Sequence, residues 1–370
     1  MLATIGFPCS RHERGEVREF LPTLIDFLTQ FPLTAVVLED GYGARMGLSA
    51  DAYQRPGVPV RFGTREEAFG QQLVVTLRCP PADDLRALKR GAFLLSMLHF
   101  PTRPSRVTAL EAAGVIGVAM DQIVDDLGRR LVESLEAVAT NGIRVGMEQL
   151  AHTWPEFARP GRRPLQVVVL GAGAVGGWAV RAAVRYGAED VRRSLRTVGA
   201  HGVAVTALDV EACEDESFVD RLLSHTDLLV DATARVDASR PIISTARLAR
   251  LPAHAVLVDL AVDPVDRHHA PPLVKALEGI PQGNLDQFVF TREDPAWGAA
   301  VPLASRRTVA SCYSWPGIQP RACMEVYGKQ LEPIVRALIT RGADLPVVGG
   351  VWAERATGRG LHRRWLEGAR

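Results

Sequence analysis

The sequence predicts an α/β protein of two Rossmann-like, doubly wound lobes with mainly parallel sheets and a cleft between them. Three observations predict it. The chain has 370 residues, more than the roughly 250–300 at which a single core stops growing. Short apolar runs alternate with helical patterns in both halves, as βαβ units do. One proline- and arginine-rich stretch, Arg159 to Pro164, interrupts that alternation near the middle.

In the first half, Thr4–Pro8, Ala35–Leu38, Leu73–Leu77, Phe93–Leu98 and Val115–Met120 read as strands. Between the first two, Val17, Phe20, Leu21, Leu24, Ile25 and Leu28 recur at helical spacing and predict a helix over 16–31. Arg130–Thr153 has few breakers and reads as a long helix that Pro155 ends. A second series then begins, with strands at Val167–Leu170, Val203–Leu208, Leu228–Asp231 and Ala255–Leu260. The pattern changes after Thr308 and closes in a helix from Pro320 to about Arg341, of a kind that often crosses back to the first lobe.

Composition narrows the function classes. The net charge is +1, without the strongly basic footprint that nucleic acid or an anionic membrane leaves. Five cysteines with no CxxC pair read as reduced thiols, not as a disulfide frame or a zinc site. The longest uncharged apolar stretch, Val167–Val180, is 14 residues with four glycines, too short for a bilayer span. No basic-then-apolar opening is present, so we expect no secretory signal and a cytoplasmic protein. No metal site is expected: adjacent His268 and His269 lack a third partner. Only Lys89, Lys275 and Lys329 are lysines; the other 40 basic residues are arginines.

The sharpest local motif is Val167-Val-Val-Leu-Gly171-Ala-Gly173-Ala174-Val175-Gly176. A buried strand runs into GxGxxG and then a helix, the context a dinucleotide turn requires. Gly171 permits the tight turn, Gly173 lets backbone approach a pyrophosphate, and Gly176 lets helix and strand pack closely. The helix start, at Ala174 and Val175, offers free N–H groups to phosphate. An acidic residue should end the next strand. Asp209 does, 33 residues after Gly176, a longer interval than usual that an insertion over 188–202 explains. A carboxylate there repels a 2′-phosphate and points to NAD rather than NADP. Asp231-Ala232-Thr233 and Asp259 to Asp263 end two further strands, where ligands bind in such sheets.

The chain resembles the alanine dehydrogenase / transhydrogenase α-subunit superfamily, which includes N5-(carboxyethyl)ornithine synthase and lysine-forming saccharopine dehydrogenase. The resemblance rests on Ile5-Gly-Phe-Pro8, Glu39-Asp-Gly-Tyr-Gly43 with Gly47-Leu-Ser49 and Tyr53, Val74 to Pro80, Leu98-His99, Val258-Asp-Leu-Ala-Val-Asp263 and Tyr313-Ser-Trp-Pro316. Their order and spacing carry the match. It implies an NAD-dependent amino-acid dehydrogenase or imine reductase, either deaminating or opine-forming. Its partner would be a small-molecule amino acid or keto acid, and the protein would be a homo-oligomer. It places the catalytic histidine on His99, a substrate-holding arginine on Arg14 or Arg18, an acidic residue on Asp263, and the asparagine of the family's "NMP" turn on Ser314. Residues 1–135 with 316–370 would then form the substrate and catalytic domain, and 136–315 the NAD-binding domain.

One position departs from the pattern. The lysine of the family's "VKxP" strand end falls on Arg78. Arginine stays charged at any workable pH, so Arg78 cannot act as a general base, but it can clamp a carboxylate through two parallel hydrogen bonds. Either the chemistry rests on His99, or the substrate differs from alanine, or the catalytic step is lost. His99 also fits a structural role at an apolar strand end, and Asp263 a cap before Pro264. Two other classes stay open: a dinucleotide-binding sensor or scaffold without net hydride chemistry, and a cyclodeaminase-type lyase that recycles its NAD.

Overall fold

A computed structural model describes residues 1–11, 13–235, 237–262 and 271–368. The chain divides into two compact units, Met1–Ser134 with Gln319–Arg370, and Leu135–Ile318.

The first unit is built on six parallel strands: β1 (Thr4–Phe7), β2 (Ala35–Glu39), β3 (Val60–Gly63), β4 (Leu73–Arg78), β5 (Phe93–Met97) and β6 (Ile116–Ala119). Their order is β3-β2-β1-β4-β5-β6, so the winding reverses between β1 and β4. Both faces of the inner strands are covered, which explains their continuous apolar runs. Val75, Leu77, Leu95 and Met97 face a core shared with Met324, Leu331, Ile334 and Leu338 of the late helix Pro320–Arg341. Val74, Leu94 and Leu98 face the opposite core with Leu110 and Phe100. That late helix therefore belongs to the first unit, although it lies some 180 residues downstream in sequence.

The expected helix over 16–31 forms only over Pro22–Leu28. Glu16 and Arg18 instead occupy a buried segment without regular secondary structure, and Pro22 starts the helix at its first position, where a missing N–H costs nothing. The long helix begins at Leu135 rather than Arg130, because the Leu131 N–H is bonded to the Ile123 carbonyl (2.9 Å).

The second unit carries β7 (Leu165–Leu170), β8 (Val203–Leu208), β9 (Leu228–Asp231), β10 (Val256–Asp259), β11 (Val289–Phe290) and β12 (Thr308–Ser311). The order is β11-β12-β10-β9-β7-β8, all parallel except β11, which runs antiparallel to β12. Winding reverses between β7 and β9. Val167, Val169, Leu228, Val230, Val256 and Val258 face the helices Leu135–Thr153 and Ala174–Ala183. Alternate residues Val168, Leu170, Leu229 and Leu257 face the other side. In such sheets ligands bind at the carboxyl ends of strands beside the reversal. That rule selects Gly171 with Thr233 in this unit, and Pro8 with Arg78 in the first. No helix among the described residues is long and apolar enough to cross a membrane.

Candidate active site

In the second unit, β7 delivers the chain to Gly171 at φ +94°. A Cβ there would lie 2.6 Å from the Ala232 carbonyl oxygen and 3.0 Å from the Thr233 Cα. The loop after β9 thus lies directly against the turn. Gly173 precedes the helix Ala174–Ala183, and a Cβ on it would meet nothing within 4 Å. A Cβ on Gly176 would sit 1.8 Å from the Gly171 oxygen, so helix and turn can pack only through glycine. The turn therefore has one glycine forced by backbone angle, one facing open space and one forced by packing. This is the division of labour a diphosphate cradle needs. Ala174 is exposed and Val175 half-buried in the first turn, whose N–H groups have no acceptor within the helix.

Asp209 follows β8 and is exposed. Its Oδ1 accepts from the Ala212 N–H (2.9 Å) and caps the helix Val210–Glu214, which commits one oxygen and leaves the other without a partner among the described residues. Asp231 is buried and accepts from the Thr233 N–H (3.1 Å) and hydroxyl (2.7 Å). Ala232 and Thr233 are fixed against Gly171 by these bonds. Ser314 is buried, its N–H directed at the Cys312 sulfur (3.4 Å). Asp263 lies outside the described residues, as do His268 and His269.

A second feature of this unit was not foreseen. Asp259, at the end of β10, is a buried hub. Its carboxylate accepts from Lys275 Nζ (2.5 Å), the Ser311 hydroxyl (2.9 Å) and the Val262 N–H (2.8 Å). Its carbonyl accepts from Trp315 Nε1 (2.7 Å). One acid thereby ties together the ends of β10 and β12, the turn holding Ser314, and a fully enclosed lysine.

In the first unit the site forms at the ends of β4 and β5. Arg78 is in register with Met97, so His99 follows two residues beyond it on the neighbouring strand. Arg78 Nε faces Glu13 (3.0 Å) and Glu16 (3.2 Å). Its Nη2 is buried and has no hydrogen-bond partner among the described residues. Glu16 is enclosed and also binds Arg18 through Nε (2.9 Å) and Nη2 (2.6 Å). Burial alone would raise the Glu16 pKa. The hydrogen bonds and charge of Arg18, with the charge of Arg78, outweigh it and hold the acid at about 2. Arg18 is itself buried and also donates to the Cys323 sulfur (3.4 Å), while Arg14 is exposed. Burial pushes the Tyr327 hydroxyl, on the same late helix as Cys323, up to about 12.

The segment carrying these groups is clamped to the block at 39–53. Glu39 accepts from the Cys9 N–H (2.8 Å) and Arg65 (2.9 Å). Glu19 accepts from the Gly43 N–H (2.5 Å) and Arg45 (3.1 Å). Tyr42 and Tyr53 hydrogen-bond the Phe20 backbone (2.8 and 3.1 Å).

His99 sits at φ +49°, a left-handed conformation rare outside glycine and a form of strain that collects at functional sites. Asp121, buried at the end of β6, holds it there: Oδ1 accepts from the N–H groups of Leu98 (2.8 Å) and His99 (2.9 Å). The other oxygen lies 3.7 Å from His99 Nδ1. Burial draws the imidazole pKa below its ordinary value and outweighs the upward pull of Asp121; the charges of Arg78, Arg106 and Arg130 add to the depression. His99 is consequently neutral at pH 7 and able to accept a proton. Asp121 and Arg106 were not among the sequence candidates, although the strand-end rule that selected His99 also reaches Asp121.

Residues 20–140 match the family model of the alanine dehydrogenase/PNT N-terminal domain, and residues 157–265 that of its C-terminal domain. The chain belongs to the alanine dehydrogenase/PNT family. It is 24% identical over 245 residues to an alanine dehydrogenase of Methanococcus maripaludis, covering 62% of this chain and 64% of that protein. It is 24% identical over 243 residues to the alanine dehydrogenase of Geobacillus stearothermophilus, with the same coverage. Over 325 residues it is 22% identical to the NAD(P) transhydrogenase subunit alpha of Haemophilus influenzae, covering 82% of this chain and 60% of that protein. The matched region thus spans less than two thirds of these relatives. Among solved structures, an L-alanine dehydrogenase superposes with a TM-score of 0.72 at 19% identity, covering 97% of this chain and 94% of that one. A transhydrogenase from Sinorhizobium meliloti gives 0.65 at 16% identity, covering 95% and 97%. These structures share the two-sheet α/β fold predicted for this member of the alanine dehydrogenase/PNT family.

Proposed function

We propose that this protein is an NAD(H)-dependent oxidoreductase acting on the C–N bond of an amino acid or its imine, either alanine-dehydrogenase-like or opine-forming. The observation that carries the reading is the pair on adjacent strand ends of the first unit. His99 is strained, neutral and backed by Asp121, and Arg78 keeps a buried nitrogen without a partner.

The second unit fits the dinucleotide. The amide-rich turn at Gly171, Gly173, Ala174, Val175 and Gly176 would hold the diphosphate, and the uncommitted oxygen of Asp209 the ribose hydroxyls. Ala232 and Thr233 wall the turn, and Ser314 and Asp263 are assigned to the nicotinamide side. When bound, NAD supplies the hydride acceptor. The chain's own residues do the rest. Arg78 holds a substrate carboxylate, with Arg14 and Arg18 on the segment that frames it. His99 turns Nδ1 toward Asp121, so Nε2 is the nitrogen that takes the proton released as the amine becomes an imine.

The test is a screen of amino acids with NAD, and of keto acids with ammonia or amines plus NADH, read by absorbance. Turnover is expected for at least one pair. His99→Gln should lower kcat at least 100-fold while NADH fluorescence titration stays within twofold of wild type. The absence of an amine at position 78 favours a second reading, in which the dinucleotide is bound without turnover. NADH binding with no activity on any pair would establish it and overturn the first.

A further inference from the structure

Two guanidiniums converge on the end of β5. Arg78 lies beside Met97 in the sheet register. Arg106, near the start of the helix Ser105–Ala113, donates Nη1 to the carbonyl of Leu98 (3.0 Å), the residue before His99. The two are satisfied very differently from an ordinary surface arginine. Both acids near Arg78 sit on its Nε edge, and Nη2 stays buried and unpartnered. Arg106 is half-buried and forms no ion pair with any described carboxylate. Of the two carboxylates whose charge reaches Arg106, Glu13 sits on Arg78 Nε (3.0 Å) and Asp121 is already occupied by two backbone N–H groups and by Gln122 Nε2 (2.9 Å). A half-buried cation with no ion pair of its own, as at Arg106, is costly, and a guanidinium fork matches a carboxylate in shape. Arg78, Arg106 and Arg130 each pull the His99 imidazole down against the upward pull of Asp121, so the charges of all three arginines reach the site.

We propose that the first-unit site takes a substrate with two carboxylates, Arg78 holding the one next to the reacting carbon and Arg106 the second. The proposal rests on the functional reading above and narrows its substrate class to a dicarboxylic keto acid or the amino acid derived from it. Arg106 is the residue that sets this specificity.

The decisive pair of probes is 2-oxoglutarate and 2-oxopentanoate, which have the same carbon chain and differ only in the terminal carboxylate. Calorimetric titration of the full-length protein, with and without NADH, should give at least tenfold tighter binding of 2-oxoglutarate. Arg106→Met should erase that preference and leave 2-oxopentanoate within twofold of wild type. Arg106→Gln, which retains a donor for the Leu98 carbonyl, should behave like Arg106→Met and separates anion binding from loop support. Arg78→Met should weaken both ligands. Equal wild-type affinities, or an Arg106→Gln variant that keeps the preference, would overturn the proposal. Oxidation of alanine by NAD alongside equal affinities would leave the broader functional reading standing; failure to bind NADH would remove that reading instead.

Discussion

Asp121 is the group whose removal most directly probes how His99 is tuned. Its Oδ1 secures two N–H groups, and its Oδ2 lies 3.7 Å from the imidazole. Asp121→Asn keeps an oxygen for the two N–H groups, and Gln122 can rotate its amide to match the new NH2. Only the charge is lost. Coulomb's law at 3.7 Å gives about 1 kcal/mol at the dielectric of water and about 4 kcal/mol at an effective dielectric near 20. The imidazole is 39% exposed, which favours the lower figure. The His99 pKa should therefore fall by a further ~1 unit, since one unit is about 1.4 kcal/mol. The assay is an NMR titration of the His99 ring, with the acid limb of kcat/KM as the functional readout; both should move down together. Asp121→Ala removes the oxygens too. Hydrogen bonds to a charged acceptor are worth about 1.5–3 kcal/mol each, so this variant should also release the left-handed turn and lose stability by a few kcal/mol. An Asp121→Asn protein whose His99 titrates as in wild type would show that burial and the arginines alone set the pKa.

Three further outcomes are expected. Gly176→Ala places a methyl 1.8 Å from the Gly171 oxygen, so NADH affinity by fluorescence titration should fall at least tenfold, about 1.4 kcal/mol. Lys275→Met leaves Asp259 buried without its counter-charge and should cost about 3–5 kcal/mol in denaturant unfolding; adding Asp259→Asn should restore much of the loss. His362 Nδ1 accepts from the Gly117 N–H (3.0 Å) and must be neutral to do so; burial lowers its pKa, against an upward pull from Glu111 and with a further push down from Arg363. Below about pH 6.5 the unfolded chain takes up more protons than the folded one at this site. Stability should therefore decline as pH falls from there, and His362→Asn, which keeps an acceptor without titrating, should flatten that slope in thermal unfolding.

The legible part of this fold was the part buried on both faces. β4, β5, β7, β9 and β10 are continuous apolar runs because helices cover both sides of each sheet. β3 escaped notice as an edge strand with only Gly63 fully buried. β12 escaped because Thr308 and Ser311 break its apolar run, yet Ser311 is there to hydrogen-bond Asp259. The glycine turn was readable because each of its glycines answers a local steric demand. Asp121, Arg106 and the Lys275–Asp259 pair were not readable, because each acts through a partner on a different element. The same limit explains the helix expected from Glu16: apolar spacing continues through that stretch, but the buried Glu16 carboxylate takes the Arg18 N–H (3.0 Å) and guanidinium, and the helix starts only at Pro22.

Arginine at position 78 is open to dismissal as compositional drift in a chain with 40 arginines and three lysines. The structure argues otherwise through Lys275, one of the three lysines. Lys275 sits in an enclosed site that offers one carboxylate oxygen, and a single ammonium suits it. At position 78 two acids already occupy one edge of the side chain. An ammonium there would be spent on Glu13 and Glu16, with a single nitrogen to serve every partner. A guanidinium meets the same two acids through Nε and still presents a separate nitrogen. The exchange thus gives up a side chain that can lose its proton and gains a fixed cation with a donor in reserve. On the proposed function, proton transfer then falls to the neighbouring imidazole, whose pKa burial and three arginines draw down. A lysine restored by Arg78→Lys should therefore weaken carboxylate binding without raising turnover, and a gain in kcat would refute this division of roles.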